Sequence, residues 1–166
     1  MLPKPPPQAY KAAMTIVDLG DENATAALAA RLAALVAPGD VIALPGELGA
    51  GKTSFARAFI RARGGDESVP SPTFTLVQTY DLPGCVIWHF DLYRLRAAEE
   101  AWELGIEDAF QSGISLIEWP ERLGPLLPAR HLIVALEFGP TPTARRATLA
   151  SSGDWAGRLA GIAAEA

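Results

Sequence analysis

Apolar and polar positions alternate along this chain with two periods, one of strands and one of helices. Thr15 to Leu19 reads as a short strand, and Asp21 offers an N-cap for a helix over Ala24 to Val36. Leu28, Leu32, Leu35 and Val36 of that helix share one face. Pro38-Gly39-Asp40 ends it in a turn. Val41 to Leu44 is an apolar strand, and Thr53 to Arg63 predicts a second helix with Phe55, Phe59 and Ile60 at helical spacing. Gly64-Gly65 closes it. Phe74 to Tyr80 and Val86 to Phe90 are rich in β-branched and aromatic residues. Asp81-Leu82-Pro83-Gly84 between them predicts an antiparallel hairpin. Ala97 to Phe110 reads as helix with a possible break at Gly105. Ile114 to Trp119 is a buried strand, His131 to Phe138 and Arg146 to Ala150 are two late strands, and Trp155 to Ala164 is a final helix. The pattern predicts an α/β fold, a three-layer sandwich with a mixed, partly antiparallel sheet between helices.

The 166 residues fit a single domain. Pro3, Pro5, Pro6 and Pro7 forbid helix, so residues 1–13 are expected to be a disordered tail and 14–166 the folded domain. Met1 and Met14 both remain open as the natural start. An apolar fraction of 49% is that of a globular protein. No apolar run approaches the ~18 residues of a membrane span, and the proline-rich start has no signal-peptide core. Cys85 is the one cysteine, which excludes an internal disulfide framework. These features point to the cytoplasm. The net charge of −5 and only three lysines do not suit direct binding of nucleic acid, which needs clustered basic residues.

One of those lysines, Lys52, lies in Gly46-Glu47-Leu48-Gly49-Ala50-Gly51-Lys52-Thr53. This is a complete G-x-x-x-x-G-K-[ST] phosphate-binding loop, set between a predicted strand and a predicted helix. Glycines let the backbone curl around phosphate, and the positive helix end and loop amides converge on it. Lys52 would neutralise the β- and γ-phosphates and the Thr53 hydroxyl would ligate magnesium. The competing reading, a glycine-rich turn with a chance lysine, is disfavoured by the full match in its setting.

Magnesium also needs a carboxylate at a neighbouring strand end. Two strands end suitably, Val86 to Phe90 in Asp91 and Ile114 to Ile117 in Glu118. Either could ligate the ion, directly or through water, and either could orient an attacking water. Ser71-Pro72-Thr73-Phe74-Thr75 lies where its hydroxyls could meet a γ-phosphate, although composition alone favours a proline-rich strand entry. His89, inside an apolar strand, is expected to be a hydrogen-bonded core residue rather than a catalytic one. Trp88, Trp102 and Trp119 are expected in the core. Arg94, Arg96, Arg145 and Arg146 are candidate phosphate or partner contacts, with solvated surface as the alternative.

With four blocks in order, the chain resembles the bacterial TsaE (YjeE) family of P-loop ATPases. The blocks are the loop at 46–53, Ser71-Pro72-Thr73-Phe74-Thr75-Leu76-Val77, His89-Phe90-Asp91-Leu92-Tyr93-Arg94-Leu95 and Ile117-Glu118-Trp119-Pro120-Glu121. The resemblance implies a P-loop NTPase-like fold and a part in threonylcarbamoyl modification of tRNA adenosine. It implies an ATPase acting with the TsaD and TsaB proteins, without itself transferring the threonylcarbamoyl group. It implies ATP and Mg2+ as cofactors. Lys52 and Thr53 would contact nucleotide and magnesium, Glu118 would ligate magnesium, and Asp91 would lie in the same site. Glu22, just before the first helix, and Glu121, two beyond the tryptophan, would touch the nucleotide, with loop residues Gly46, Leu48, Gly49, Ala50 and Gly51 around the phosphates. The stretch Thr141-Pro142-Thr143-Ala144-Arg145-Arg146 departs from the family's Gly-Arg pair, which leaves a late nucleotide contact unplaced. Two other readings stay open from the residues alone, a small-molecule kinase and a nucleotide-sensing adaptor that does not hydrolyse ATP.

Overall fold

The chain is described by a computed structural model over residues 14–66, 75–151 and 155–165. The strands are β1 (Thr15–Leu19), β2 (Val41–Leu44), β3 (Val77–Leu82), β4 (Cys85–Asp91), β5 (Ile114–Glu118), β6 (Leu132–Phe138) and β7 (Arg145–Ser151). They form one sheet in the order β1-β7-β6-β2-β5-β4-β3. β2 runs parallel to both β5 and β6, and β4 parallel to β5. β7 runs antiparallel to β6 and β1, and β3 antiparallel to β4. Every residue of β2 and β5 is buried, as expected of central parallel strands covered on both faces.

Side chains alternate across the sheet and build two cores. One face packs Ile42, Leu44, Ile87 and Leu116 against α1 (Glu22–Ala33), α2 (Lys52–Ala62) and Trp155. The other packs Val41, Phe90 and Ile117 against a 3₁₀ helix (Ala98–Leu104), α3 (Ile106–Ser112) and a second 3₁₀ helix (Pro120–Leu126). Trp155 begins α4 (Trp155–Glu165). Among the described residues no helix is long and apolar enough to cross a membrane.

Most expected elements are present, with four differences. α1 starts under its Asp21 cap, whose carboxylate accepts from Ala24 N at 2.9 Å, but stops at Ala33 instead of Val36. Pro38 restricts the residue before it, and Leu35 N already closes a tight turn onto Leu32 O. The hairpin turn is Pro83-Gly84 alone, because Asp81 and Leu82 remain paired with Val86 and Cys85. The segment 97–110 does break at Gly105, but its first piece is a 3₁₀ helix; Gly105 has φ +82 and its missing side chain makes room for the Trp88 ring, 2.9 Å from where a Cβ would lie. Finally, β5 ends at Glu118, and the following 3₁₀ helix has no counterpart in the predicted elements. The expected tail over 1–13 and most of the Ser71–Thr75 block lie outside the described residues.

A buried carboxylate holds the foot of β2. Asp40 is 3% exposed and accepts from Ala37 N at 2.7 Å, Arg158 Nη1 at 2.5 Å and Arg130 Nη1 at 3.3 Å. It therefore ties the turn before β2 and the last helix to the strand that carries the loop. Removing one partner of such a cluster strands the others. Asp40→Ala is expected to cost about 2–4 kcal/mol in urea denaturation. A loss below about 0.5 kcal/mol would mean that water replaces the carboxylate.

Candidate functional site

The sheet register assembles the site. Leu44, the last residue of β2, pairs with Glu118, and Glu118 pairs with Asp91. The loop at 46–53 therefore leaves the sheet in the same row in which two carboxylates end their strands. Both are buried, Asp91 at 8% and Glu118 at 2% exposure. Gly46 turns out of the strand so close to β6 that a Cβ would lie 2.7 Å from the Leu136 carbonyl oxygen, so packing alone demands glycine there. Gly51 caps α2 without a side chain, which leaves the first turn of that helix with no side-chain cap.

Thr53 and Glu118 meet directly. Thr53 Oγ1 donates to the Glu118 carboxylate, 3.0 Å from Oε1 and 3.1 Å from Oε2. His89 Nε2 lies 2.7 Å from Oε2. Asp91 Oδ1 accepts from Tyr93 N at 3.2 Å. Lys52 Nζ donates to the carbonyls of Gly46 and, at 3.0 Å, Glu47. It also rests 3.9 Å from the centre of the Trp119 ring, a cation–π contact. Burial lowers the Lys52 pKa, while Glu118, Glu121, Asp91 and Glu47 pull it back up. Burial likewise raises the Asp91 carboxyl above its usual 3.8; the Tyr93 amide opposes this, the Glu118 charge adds to it, and His89 and Lys52 oppose it. The arrangement is one cation and two anions held in a half-dry corner, with a hydroxyl among them.

The other flank of the loop is an open cleft of about 410 Å³, lined by Leu19, Gly20, Phe138, Ala144, Arg145 and Arg146 among others. Arg145 joins cleft to loop: Nε donates to Ala50 O at 3.2 Å and Nη2 to Gly49 O at 3.3 Å, and the guanidinium lies over Phe138.

A family profile described as "Threonylcarbamoyl adenosine biosynthesis protein TsaE" matches residues 19–147. The chain belongs to the TsaE family. The tRNA threonylcarbamoyladenosine biosynthesis protein TsaE of Rickettsia bellii is 43% identical over 121 residues, 72% of this chain and 84% of that protein. The protein of the same name from Bacillus subtilis is 37% identical over 114 residues, 68% of this chain and 71% of its own length. The crystal structure of Bacillus subtilis YdiB superposes with a TM-score of 0.73 at 27% identity, covering 92% of this chain and 95% of that one. The mixed sheet with flanking helices is thus a P-loop fold of the TsaE family. The family match runs from the end of β1 into β7 and includes the loop, both carboxylates and Arg145.

The structure brings Gly46, Lys52, Thr53, Asp91 and Glu118 together, as the sequence blocks imply. Glu121 is exposed on the 3₁₀ helix after β5, and it reaches Lys52 through charge. Glu22 is exposed in the first turn of α1, two residues beyond Gly20 of the cleft. Leu48 stands 76% exposed at the loop tip, and Gly49 and Ala50 follow it, with Ala50 buried. One tryptophan departs from expectation. Trp102 is 49% exposed, because the three-residue repeat of its 3₁₀ helix turns Ala98, Ala101 and Leu104 inward and leaves Trp102 outside. Trp88 and Trp119 are half-buried and pack against the second core as expected, and Trp119 also carries Lys52 on its ring. Its left-handed backbone, φ +59, aims it there, and no spacing rule signals such a conformation. The Arg145 bonds to the loop were equally hidden, although the departure at 141–146 marked the place. Arg146 pairs with Asp18 at 2.9 Å on the surface.

The raised Asp91 carboxyl has a consequence for stability. A carboxyl whose folded pKa exceeds its unfolded pKa contributes stability fully below the unfolded value and loses it as pH rises through the folded value. Asp91→Asn keeps an oxygen for Tyr93 N and removes the charge. The variant is expected to be more stable than the wild type at pH 7. The difference should vanish at acid pH in urea denaturation curves. A variant less stable than wild type at pH 7 would mean that the charge supports the fold.

Proposed function

We propose that the chain is the magnesium-dependent ATP-binding and ATP-hydrolysing component of the machinery that makes N6-threonylcarbamoyladenosine in tRNA. It would act in the cytoplasm with the TsaD and TsaB proteins. The observation that carries this reading is the meeting of Thr53 with Glu118 beside Asp91, at the mouth of a complete phosphate loop. Membership of the TsaE family supports the tRNA part of the reading.

The donor set fits Mg2+. It consists of hard oxygens, one hydroxyl and two carboxylates. Among the described residues no group of three or more His, Cys, Asp or Glu forms a metal cage. Mg2+ at nucleotide sites needs none, since one or two protein oxygens, water and phosphates complete its shell. When bound, it supplies charge neutralisation across the β- and γ-phosphates. Thr53 and Glu118 would hold it, with Asp91 beside them.

Lys52 would exchange the Gly46 and Glu47 carbonyls for phosphate oxygens. The backbone of Leu48, Gly49, Ala50 and Gly51 and the uncapped start of α2 would cradle the phosphates. The adenosine part would occupy the cleft beside Arg145, with Glu22 at its rim and Glu121 across the loop. Asp91 would orient a water and accept its proton as the water oxygen attacks the γ-phosphorus. The bond to the bridging oxygen breaks and ADP leaves. The acidic surface leaves tRNA to the partners, and a catalytic part supplied by them would make turnover slow alone.

Phosphate release from ATP should therefore fall at least about a hundredfold in Lys52→Ala, measured with TsaB and TsaD present. The same variant should fail to restore tRNA threonylcarbamoylation in cells lacking the endogenous protein, and full rescue would overturn the ATPase mechanism. No phosphate release by the wild type would leave a nucleotide-sensing adaptor. Glu118→Gln should weaken magnesium-dependent nucleotide binding about tenfold or more. Unchanged affinity and rate would move the metal role to Asp91.

A further inference from the structure

His89 occupies a place where a hydrocarbon would pack without penalty. It is fully buried on the inner face of β4, in line with Cys85, Ile87 and Asp91. Its Nδ1 has no hydrogen-bond partner among the described residues. An imidazole with one ring nitrogen left bare in the interior costs stability that Leu or Phe would not. Its other nitrogen explains the choice. His89 pairs in register with Leu116, so Glu118 is its diagonal neighbour on the next strand, within reach of a long side chain. Nε2 lies 2.7 Å from Glu118 Oε2. A carboxylate only accepts, and toward that form of Glu118 the Nε2–H tautomer of His89 is the donor.

The two contacts on Glu118 differ in kind. Thr53 is half-buried, belongs to the loop and straddles both oxygens. His89 holds Oε2 from the floor of the site and has no freedom to follow the loop. When Thr53 turns to another partner, Oε2 stays held and Oε1 is the oxygen released. We propose that His89 is a positioning residue. It fixes the rotamer of Glu118 so that one carboxylate oxygen is anchored in the core and the other is presented, beside Thr53, to a divalent cation. This rests on the magnesium–nucleotide reading above, and it adds a buried donor behind the ligand of the kind that sets ligand orientation at metal sites.

The test compares wild type, His89→Gln and His89→Leu. Gln can carry an amide N–H to about the place of Nε2, whereas Leu fills the space without a donor. ATP affinity is measured by calorimetry with Mg2+ and again with the metal chelated, and Mn2+ binding to the protein–ADP complex is followed by electron paramagnetic resonance. His89→Leu should lose about tenfold or more in metal-dependent affinity while its metal-free ATP affinity stays within about twofold. His89→Gln should recover most of the loss. A merely structural histidine would move both affinities together or neither. His89→Leu with wild-type metal dependence, or Gln as impaired as Leu, overturns the proposal. If His89→Leu does not fold, His89→Gln is read against His89→Asn, whose shorter amide cannot reach Oε2; equal metal affinity in the two overturns it. A wild-type chain without metal-dependent ATP binding overturns the magnesium reading as well. Wild-type binding that His89→Leu leaves intact overturns only the role of His89.

Discussion

The register of three parallel strands is the constraint on which the site depends. Leu44, Glu118 and Asp91 stand in one row across β2, β5 and β4. Side chains alternate with period two, so a slip of one residue in either ladder would turn a carboxylate to the opposite face. The buried row is held by what lies below it. Leu44, Leu116 and Ile87 pack against α1 and α2, and Phe90, Ile117 and Val41 pack against the helices of the other face. The hydrophobic cores thus determine where the charges end up, although no charge takes part in them.

The charges in that row are held against their own preference. Two carboxylates share a buried corner, a lysine loses hydration, and a histidine has one nitrogen without a partner among the described residues. Two residues without glycine's freedom adopt left-handed backbone nearby, Leu76 at φ +64 and Trp119 at φ +59, each at a cost of about 1–2 kcal/mol. Both touch the site. Leu76 O accepts from Asp91 N, and Trp119 carries Lys52 on its ring while packing against Tyr93. Left-handed backbone concentrated around buried charge is a pattern found at ligand sites.

Much of this was legible in the chain because the relevant signals are local. The loop states its own conformation through Gly46, Gly51 and Lys52, and strands that end in Asp91 and Glu118 announce themselves by an apolar run that stops. Periodicity located every strand of the described residues, and it overran where a turn competes, beyond Ala33. What stayed hidden depends on tertiary contact. Nothing in the sequence says that His89 reaches diagonally to Glu118, that Trp119 turns back beneath Lys52, or that Arg145, 95 positions after Ala50, braces the back of the loop. Trp102 stands exposed because the period of three in its 3₁₀ helix leaves it outside, a placement that tryptophan's general preference for the core does not reveal.

The account says that the Thr53–Glu118 contact is the mouth of a magnesium–nucleotide site. A crystal structure of the chain with a non-hydrolysable ATP analogue and Mg2+ tests this most directly. It should place the ion between Thr53 Oγ1, the phosphates and the free oxygen of Glu118, directly or through one water. The direct Thr53–Glu118 hydrogen bond should be broken, the His89 bond kept, and Lys52 moved onto phosphate. A nucleotide bound elsewhere, with Thr53 still on Glu118 and Lys52 still on the Gly46 and Glu47 carbonyls, would contradict it.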